Sequence, residues 1–286
     1  MSPVVSRSSD GVPVIAYALA DADGRMLSVR NERTAFYAAS TVKLGVMLAA
    51  VLASERGELR LDDTLECRRR FVSAPSPAPS HTPSPAPSPA VLPVQGSAEA
   101  DGAGATFVLD PDDVDPEFPA DGGRASVAEL VTMMICRSSN EATNVLVDRL
   151  GTPAIAEAFR LCGATRTRME RRIGDEAAVR AGLTNETTAE DLVLVMSGIL
   201  AGRITTTSNA EWMRDVLTAQ QHVRIGAAVP TGTPWGSKSG DVPGIEHDVA
   251  FVGEGASRRL LAVCTRGYEP EQGREAIRAL AQALLG

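Results

Sequence analysis

Residues 36–57 read FYAASTVKLGVMLAAVLASERG and contain Lys43, the first of only two lysines in the chain. Ser40 lies three positions earlier, and residues three apart in a helix share a face, so the amine of Lys43 can reach the Ser40 hydroxyl. A lysine acts as a base only where burial or a nearby cation lowers its pKa, and the apolar run after Lys43 supplies burial. Arginine could not do this because its guanidinium stays protonated. The spacing predicts a nucleophile and its base, although an ordinary helix start with an extended lysine would show the same letters.

Two further segments strengthen the first interpretation. RSSNEATNVLV places Ser138 and Asn140 in a polar turn between two predicted helices. WGSKSGDVPG places Lys238, the second lysine, in a Lys-Ser-Gly triplet just before a predicted strand. Both lysines of the chain therefore occur beside serines in short polar motifs.

With STVK at 40–43, SSN at 138–140 and KSG at 238–240, the chain resembles the serine β-lactamase and penicillin-binding-protein superfamily, most closely its class A β-lactamase-like branch. The family signature is Ser-x-x-Lys, Ser-Asp-Asn and Lys-Thr-Gly in this order. The resemblance covers nearly the whole chain. It implies an α/β (α+β) class A β-lactamase-like fold with two lobes, one an antiparallel sheet with flanking helices and the other all-helical.

The resemblance also implies catalytic roles. Ser40 would attack an acyl carbon and become the acyl-enzyme, and Lys43 would accept its proton. Ser138 would relay a proton to the leaving group with the help of Lys238. The substrate would be a small molecule with an acyl carbonyl.

Substrate contacts follow from the same resemblance. Asn140 would bind a substrate amide, and Ser239, beside the second lysine, would receive a carboxylate or a similar polar group. Gly240 completes that motif. The oxyanion would lie between the backbone N–H groups of Ser40 and Asp241.

The chain departs from the family pattern in several places, of which Ser239 instead of threonine in the third motif is a common variation. Ser139 stands where class A enzymes carry an aspartate that supports the loop. MERRIGDEAAVRAGLTNETTAED, residues 169–191, lacks the Glu-x-x-Leu-Asn motif whose carboxylate activates the deacylating water. The acids in that stretch are Glu170, Asp175 and Glu176; we take Asp175 and Glu176 as candidates for this role, against the alternative of a solvated, charged loop.

Two residues near the third motif allow two interpretations. Trp235 and His247 are expected to line the cleft beside Lys238. Core packing or surface exposure would account for them as well.

The element order predicts the domain organisation. β-prone runs at 12–19 and 26–30 form a predicted hairpin, and DVAFVGE with RRLLAVCTR forms a second one before an amphipathic C-terminal helix. Strands at both ends predict an α/β lobe from residues 1–38 and 205–286. Residues 39–204 form the predicted helical lobe, and the active site is expected in the cleft between the lobes.

Helix boundaries can also be predicted. SVAE at 126–129 is a capping box, and TTAE at 187–190 and SNAE at 208–211 are expected to open two helices in the same way. The nucleophile helix is expected to begin at the Ser-Thr pair and to stop at Gly57.

Residues 74–93, APSPAPSHTPSPAPSPAVLP, contain almost nothing that could enter a core. This composition is typical of an extended, disordered, solvated segment. It is either a docking ligand for a partner that binds proline-rich sequences or a tolerated surface insertion, and we favour the insertion because long surface loops add little closure cost.

Composition excludes several classes. The 286 residues carry 28 Lys and Arg against 36 Asp and Glu, a net charge of −8, which argues against binding nucleic acid or an anionic membrane. No stretch is long enough to span a bilayer and the start lacks a signal-peptide pattern, so a cytoplasmic location is expected. The four cysteines are expected to be buried free thiols, and neither they nor the three histidines show ligand spacing, so we expect no metal and no cofactor.

The leading interpretation is a serine hydrolase that cleaves an ester, amide or β-lactam through Ser40. Its variants are a true β-lactamase, an esterase or amidase, and an acyltransferase of a biosynthetic pathway. Rivals of another kind are a sensor-like protein that is acylated and releases the acyl group slowly, and a non-catalytic scaffold. The intact Ser40, Lys43, Ser138 and Lys238 set speaks against the scaffold.

Overall fold

The protein is represented by a computed structural model that describes residues 13–74 and 104–286. Its central feature is a five-stranded antiparallel sheet of β1 (Val14–Asp21), β2 (Met26–Arg30), β10 (Trp235–Val242), β11 (Ile245–Val252) and β12 (Arg259–Arg266). The strand order in this sheet is β10-β11-β12-β1-β2. The mixed fold class is confirmed, and both predicted hairpins are present.

The sheet is covered on both faces. Strand β12 is apolar throughout its middle because alternate residues enter two different cores. Leu260, Ala262 and Cys264 join the main core, whereas Leu261 and Val263 pack with the C-terminal helix α8 (Pro270–Leu285). Helix α8 is the predicted amphipathic helix, and it buries Ile277 and Ala281.

The remaining helices surround the nucleophile helix. They are α1 (Lys43–Glu55), α2 (Val127–Cys136), α3 (Asn140–Leu150), α4 (Thr152–Leu161), α5 (Glu176–Arg180), α6 (Ala189–Leu200) and α7 (Thr207–Thr218). Every residue from Lys43 to Ala53 is buried, which fits a helix that is apolar on all sides and packs against α2, α3, α4 and α6. Gly57 has φ +72° just after α1 and ends the helix as predicted.

Short strands between these helices were not predicted. Strands β3 (Phe36–Tyr37), β8 (Arg168–Met169) and β9 (Asn185–Thr187) form one small sheet. Two ribbons pair β4 (Thr64–Glu66) with β7 (Arg124–Ser126) and β5 (Arg70–Val72) with β6 (Thr106–Val108). Strands of two or three residues are too short to show an alternating pattern. The lobe boundaries at 38/39 and 204/205 stay a prediction.

Two of the three predicted caps were shifted. Ser126 and Glu129 form the predicted capping box of α2. Helix α6 is capped by Thr188 rather than Thr187, because the Thr187 hydroxyl bonds Thr167 at 2.9 Å inside the small sheet. Helix α7 is capped by Thr206, two residues before the expected serine, and Glu55 accepts a hydrogen bond from its N–H at 2.7 Å.

The proline-rich segment 74–93 lies outside the described residues except for Ala74. The described chain on either side comes together, since the Ser73 N–H donates to the Ala105 carbonyl at 2.7 Å. The proposed proline-reading partner stays a prediction. Within residues 13–74 and 104–286, no helix has the length and apolar composition needed to cross a bilayer.

Candidate active site

The Ser40 turn is a short 3₁₀ segment, Ala39–Val42, that leads directly into α1. Ala39 has φ +46°, a strained value for a residue with a side chain, and Ser40 remains half-buried. Strand β10 passes directly over this turn: a Cβ at Gly240 would lie 2.8 Å from Ser40 N and 2.9 Å from Thr41 N. Only glycine permits this approach, which brings the edge of β10 beside the Ser40 N–H.

The Lys43 amine is fully buried and lies at the centre of a polar cluster. Its Nζ lies 2.6 Å from the Ser138 carbonyl, 2.8 Å from Asn140 Oδ1 and 3.1 Å from Ser138 Oγ. Burial, together with the positive charge of Lys238, lowers the pKa of Lys43 well below its ordinary value of 10.5. Its three contacts match the three N–H groups of an ammonium, and a lowered pKa makes the loss of one of these protons easier.

Ser138 lies between the two lysines. Lys238 Nζ donates to Ser138 Oγ at 3.2 Å and to the Ser239 carbonyl at 2.8 Å. Burial lowers the pKa of Lys238 to about 8, although the carboxylates of Asp248 and Asp241 raise it. Ser138 has φ +61°, so a strained backbone holds the hydroxyl between the two amines.

Comparisons with known proteins show the family of the chain. A family model described as the β-lactamase enzyme family matches residues 4–84 and 107–286. The chain belongs to the β-lactamase enzyme family. No match was found among curated proteins.

Solved structures share the fold. A β-lactamase from Sphaerobacter thermophilus DSM 20745 is 25% identical, with a TM-score of 0.74 over 97% of this chain and 92% of that chain. PBP-A is 22% identical, with a TM-score of 0.71 over 98% and 90% of the two chains. A point mutant of PBP-A, solved as an acyl-enzyme complex with penicillin G, is 21% identical, with a TM-score of 0.69 over 99% and 93%.

The second family motif is supported differently from the class A pattern. Ser139, which replaces the expected aspartate, caps α3 by accepting from the Ala142 N–H. Glu141 is fully buried, and it accepts from the Asp115 N–H at 3.2 Å and from the Ser139 hydroxyl at 3.4 Å. Asn140 in turn donates to the Asp113 carbonyl at 3.0 Å. Sequence reasoning missed Glu141, although it stands directly after the motif.

The third family motif has a neighbour that the sequence did not indicate. Arg224 precedes a short 3₁₀ segment and has only 10% of its side chain exposed. Its Nη2 lies 3.6 Å from the exposed Asp241 carboxylate, and its Nε lies 2.9 Å from Glu246. No motif marked this arginine among the many in the chain. Ser239 is buried within β10 beside Lys238.

His247 and Trp235 are packed into the protein. His247 is fully buried, and burial lowers its pKa to about 4, so the ring is neutral. Its Nε2 lies 3.0 Å from the Tyr37 carbonyl, and its Nδ1 accepts from the Thr265 N–H at 3.1 Å. His247 thereby holds strand β3 just ahead of Ser40. Trp235 is half-buried and packs with the core beneath α8.

The loop between β8 and β9 holds the two acids predicted to activate water. Asp175 is fully buried, and its oxygens accept from the Ala178 N–H at 3.0 Å and the Ala74 N–H at 2.8 Å. Glu176 is 56% exposed, with an oxygen 3.9 Å from Arg180. The structure thus joins Asp175 to backbone groups, whereas the carboxylates that act on the Lys43 pKa are Asp241, Glu141 and Asp113.

Helix α3 fixes a different residue of this loop near the cluster. Asn144 lies one helical turn after Asn140, so both face the same side. Its amide donates to the Ile173 carbonyl at 2.9 Å and accepts from the Ile173 N–H at 2.9 Å. The loop residue held next to the Asn140 face is therefore apolar, and it packs against the core.

Proposed function

We propose that the protein is a serine hydrolase that forms an acyl-enzyme at Ser40. The observation that carries this proposal is the position of Ser138 Oγ, 3.1 Å from Lys43 Nζ and 3.2 Å from Lys238 Nζ. A hydroxyl oxygen accepts up to two hydrogen bonds and still has its own proton to donate. This arrangement suits a group that passes a proton between a base and a leaving group.

The proposed acylation step begins with Ser40 and ends with these contacts. Ser40 Oγ bonds to the acyl carbon while its proton moves to the Lys43 amine. The bond from the acyl carbon to the leaving group then breaks, and the leaving atom takes the Ser138 proton. Ser138 is reprotonated by Lys43, so the amine returns to its neutral form. Lys238 remains charged and holds Ser138 Oγ in line.

The substrate would lie along the edge of β10. Because Gly240 allows β10 to approach the Ser40 turn, the N–H groups of Ser40 and Asp241 are proposed to bind the oxyanion. Asn140 would bind a substrate amide, and Ser239 with Lys238 would bind a polar group of the substrate. Esters, amides and β-lactams all present the required acyl carbonyl.

Release of the acyl group is the less well-equipped half of the reaction. Deacylation needs a group that holds and deprotonates a water beside the acyl carbon. The loop residue fixed next to the Asn140 face is Ile173, which cannot do this. This favours a second candidate function, a sensor-like protein or an acyltransferase in which the acyl group persists until a suitable acceptor arrives. The assignment of Asp175 or Glu176 as the water-activating acid stays a prediction.

Intact-mass measurement after exposure to a fluorophosphonate, a panel of penicillins and activated esters tests the proposal. We expect one stoichiometric adduct on the wild-type protein and none on Ser40→Ala. Ser54→Ala, in the same helix, is the matched control and should label normally. An adduct on Ser40→Ala would place the nucleophile elsewhere, and the absence of any adduct on the wild type would favour the scaffold.

A further inference from the structure

The edge of β10 carries a carboxylate that the motifs do not explain. Asp241 directly follows Gly240, and 53% of its side chain is exposed. Its negative charge raises the pKa of both Lys43 and Lys238. Because Gly240 packs against the backbone N–H of Ser40, the next residue in the strand lies beside the proposed active site.

Arg224 is a cation beside Asp241, and it has two acidic partners. The exposed Asp241 carboxylate lies 3.6 Å from its guanidinium. On the other side, Glu246, only 4% exposed, lies 2.9 Å away and also binds Arg274 at 3.1 Å. The guanidinium is thus held between a buried and an exposed carboxylate.

Every cation around this edge has an acidic neighbour without a substrate. The cations Lys238, Arg224 and Arg274 lie among the carboxylates of Asp241, Glu246, Asp248 and Glu271. Glu141 and Asp113 add further negative charge on the Lys43 side. A site that binds an anion needs uncompensated positive charge. A substrate carboxylate here would have to compete with Asp241 for Arg224.

We propose that Asp241 is a specificity-determining residue that disfavours substrates with a carboxylate against Ser239, so that the preferred substrates are esters or amides with a neutral polar group there. This inference rests on the proposed function. The sequence analysis expected a carboxylate or a similar polar group of the substrate at Ser239, and we now propose that this group is neutral. It also predicts that penicillins, which carry a carboxylate, acylate Ser40 less readily than matched neutral esters.

A purely structural role for Asp241 makes a different prediction. If Asp241 only fixed the Arg224 side chain, its loss would weaken the site for all substrates alike. Electrostatic selection instead changes the preference between charged and neutral substrates, and it depends on the charge at this position rather than on its shape.

The test uses two esters of N-phenylacetylglycine that differ only on the leaving phenol, which carries a meta-carboxylate in one and a meta-carboxamide in the other. The quantity measured is the ratio of kcat/KM for the two esters. In Asp241→Asn we expect this ratio to move toward the carboxylate ester by about tenfold, as removal of one charge a few ångströms away implies. Asp241→Glu, which keeps the charge, should retain the wild-type ratio, and Asp241→Ser should behave like Asp241→Asn.

Three outcomes separate the possibilities. An unchanged ratio in Asp241→Asn and Asp241→Ser, or an equal shift in Asp241→Glu, would overturn the role of Asp241 while leaving Ser40 acylation intact. Failure of both esters to acylate the wild-type protein in intact-mass measurements would refute the proposed function, and this inference with it. The shift should also shrink at high salt, because the Asp241 charge is exposed.

Discussion

The two walls of the proposed active site are built in different ways. On one side, Ser138 joins Lys43 and Lys238 through contacts of 3.1 and 3.2 Å, and each of these groups is placed by a different element. On the other side, each oxygen of Asp175 in the β8–β9 loop accepts one backbone N–H, and the residue fixed beside α3 is Ile173. The first wall is organised around proton transfer, and the second around holding a loop in place.

In the proposed acyl-enzyme cycle, the two walls would support the two half-reactions unequally. Acylation needs a nucleophile, a base and an oxyanion site, and the first wall supplies candidates for all three. Deacylation needs a positioned water. The comparison predicts fast formation and slow loss of the adduct, and the following changes would break or sharpen it.

The largest effect is expected on the first wall. Lys43→Arg should lower the acylation rate about a thousandfold, as much as Lys43→Ala, because the guanidinium keeps its charge but cannot accept the Ser40 proton. Stopped-flow measurement with an activated ester gives this rate. A Lys43→Arg protein that kept most of its kcat/KM would show that Lys43 contributes only its positive charge and does not accept a proton. The contrast between the two walls would then be smaller.

The next effect concerns the second wall. Ile173→Glu should speed loss of the acyl adduct by about a hundredfold. It introduces a carboxylate side chain at the position whose backbone is hydrogen-bonded by Asn144. Ile173→Gln has nearly the same shape without the charge and is the matched control. A wild-type burst of nitrocefin hydrolysis equal to the enzyme concentration, followed by a slow phase, is expected. Rapid steady turnover by the wild type would contradict slow release.

A smaller effect should appear as pH dependence on the first wall. Lys238 has its pKa lowered to about 8, so its ammonium is present below pH 8 and is lost above it. If the charged form holds Ser138, the acylation rate should fall as pH rises above 8, about tenfold per pH unit at the limit. Lys238→Arg, which cannot titrate in this range, should lose this alkaline limb even if its rate at pH 7 is lower. If the acylation rate of Lys238→Arg still fell above pH 8, the fall would belong to the titration of another group.

The smallest effect on chemistry is expected at Asp175. Because both of its oxygens accept backbone hydrogen bonds, Asp175→Asn should lower the free energy of unfolding by about 1–3 kcal/mol while leaving adduct release nearly unchanged. Thermal denaturation and the decay of the adduct mass measure the two quantities on one sample. Slower release in Asp175→Asn or in Glu176→Gln would instead identify the water-activating acid and remove the contrast between the walls.

The parts of the site that could be predicted are those that lie within single short motifs. Ser40 and Lys43 are three residues apart in one segment, and the Lys-Ser-Gly triplet is contiguous, so the three motifs together could be matched to the family signature. Glu141 contacts Asp115, and Arg224 contacts Asp241. The members of each pair lie in different segments of the sequence. With one sequence, only the fold brings such partners together.

The same limit explains the errors in the fold prediction. Periodic helices and Gly57 were predicted because their signals are local. The caps at Thr188 and Thr206 were misplaced because several neighbouring residues can cap a helix, and tertiary contacts of Thr187 and Glu55 decide between them. His247 was expected at the cleft, but its bond to the Tyr37 carbonyl could not be read from its position in a strand.

The pairing of β1 with β12 determines when the proposed site can form during synthesis. Val14 lies opposite Arg266 and Asp21 opposite Arg259, so the sheet joins the two ends of the chain. The strand that carries Lys238 is attached to β1 only through β11 and β12. During synthesis the Ser40 segment leaves the ribosome long before its partners exist, and contacts of such long range are slow to form. The proposed site is therefore complete only after Lys238 and strands β11 and β12 have been synthesised, and a chain that stops before them lacks the contact of Lys238 with Ser138.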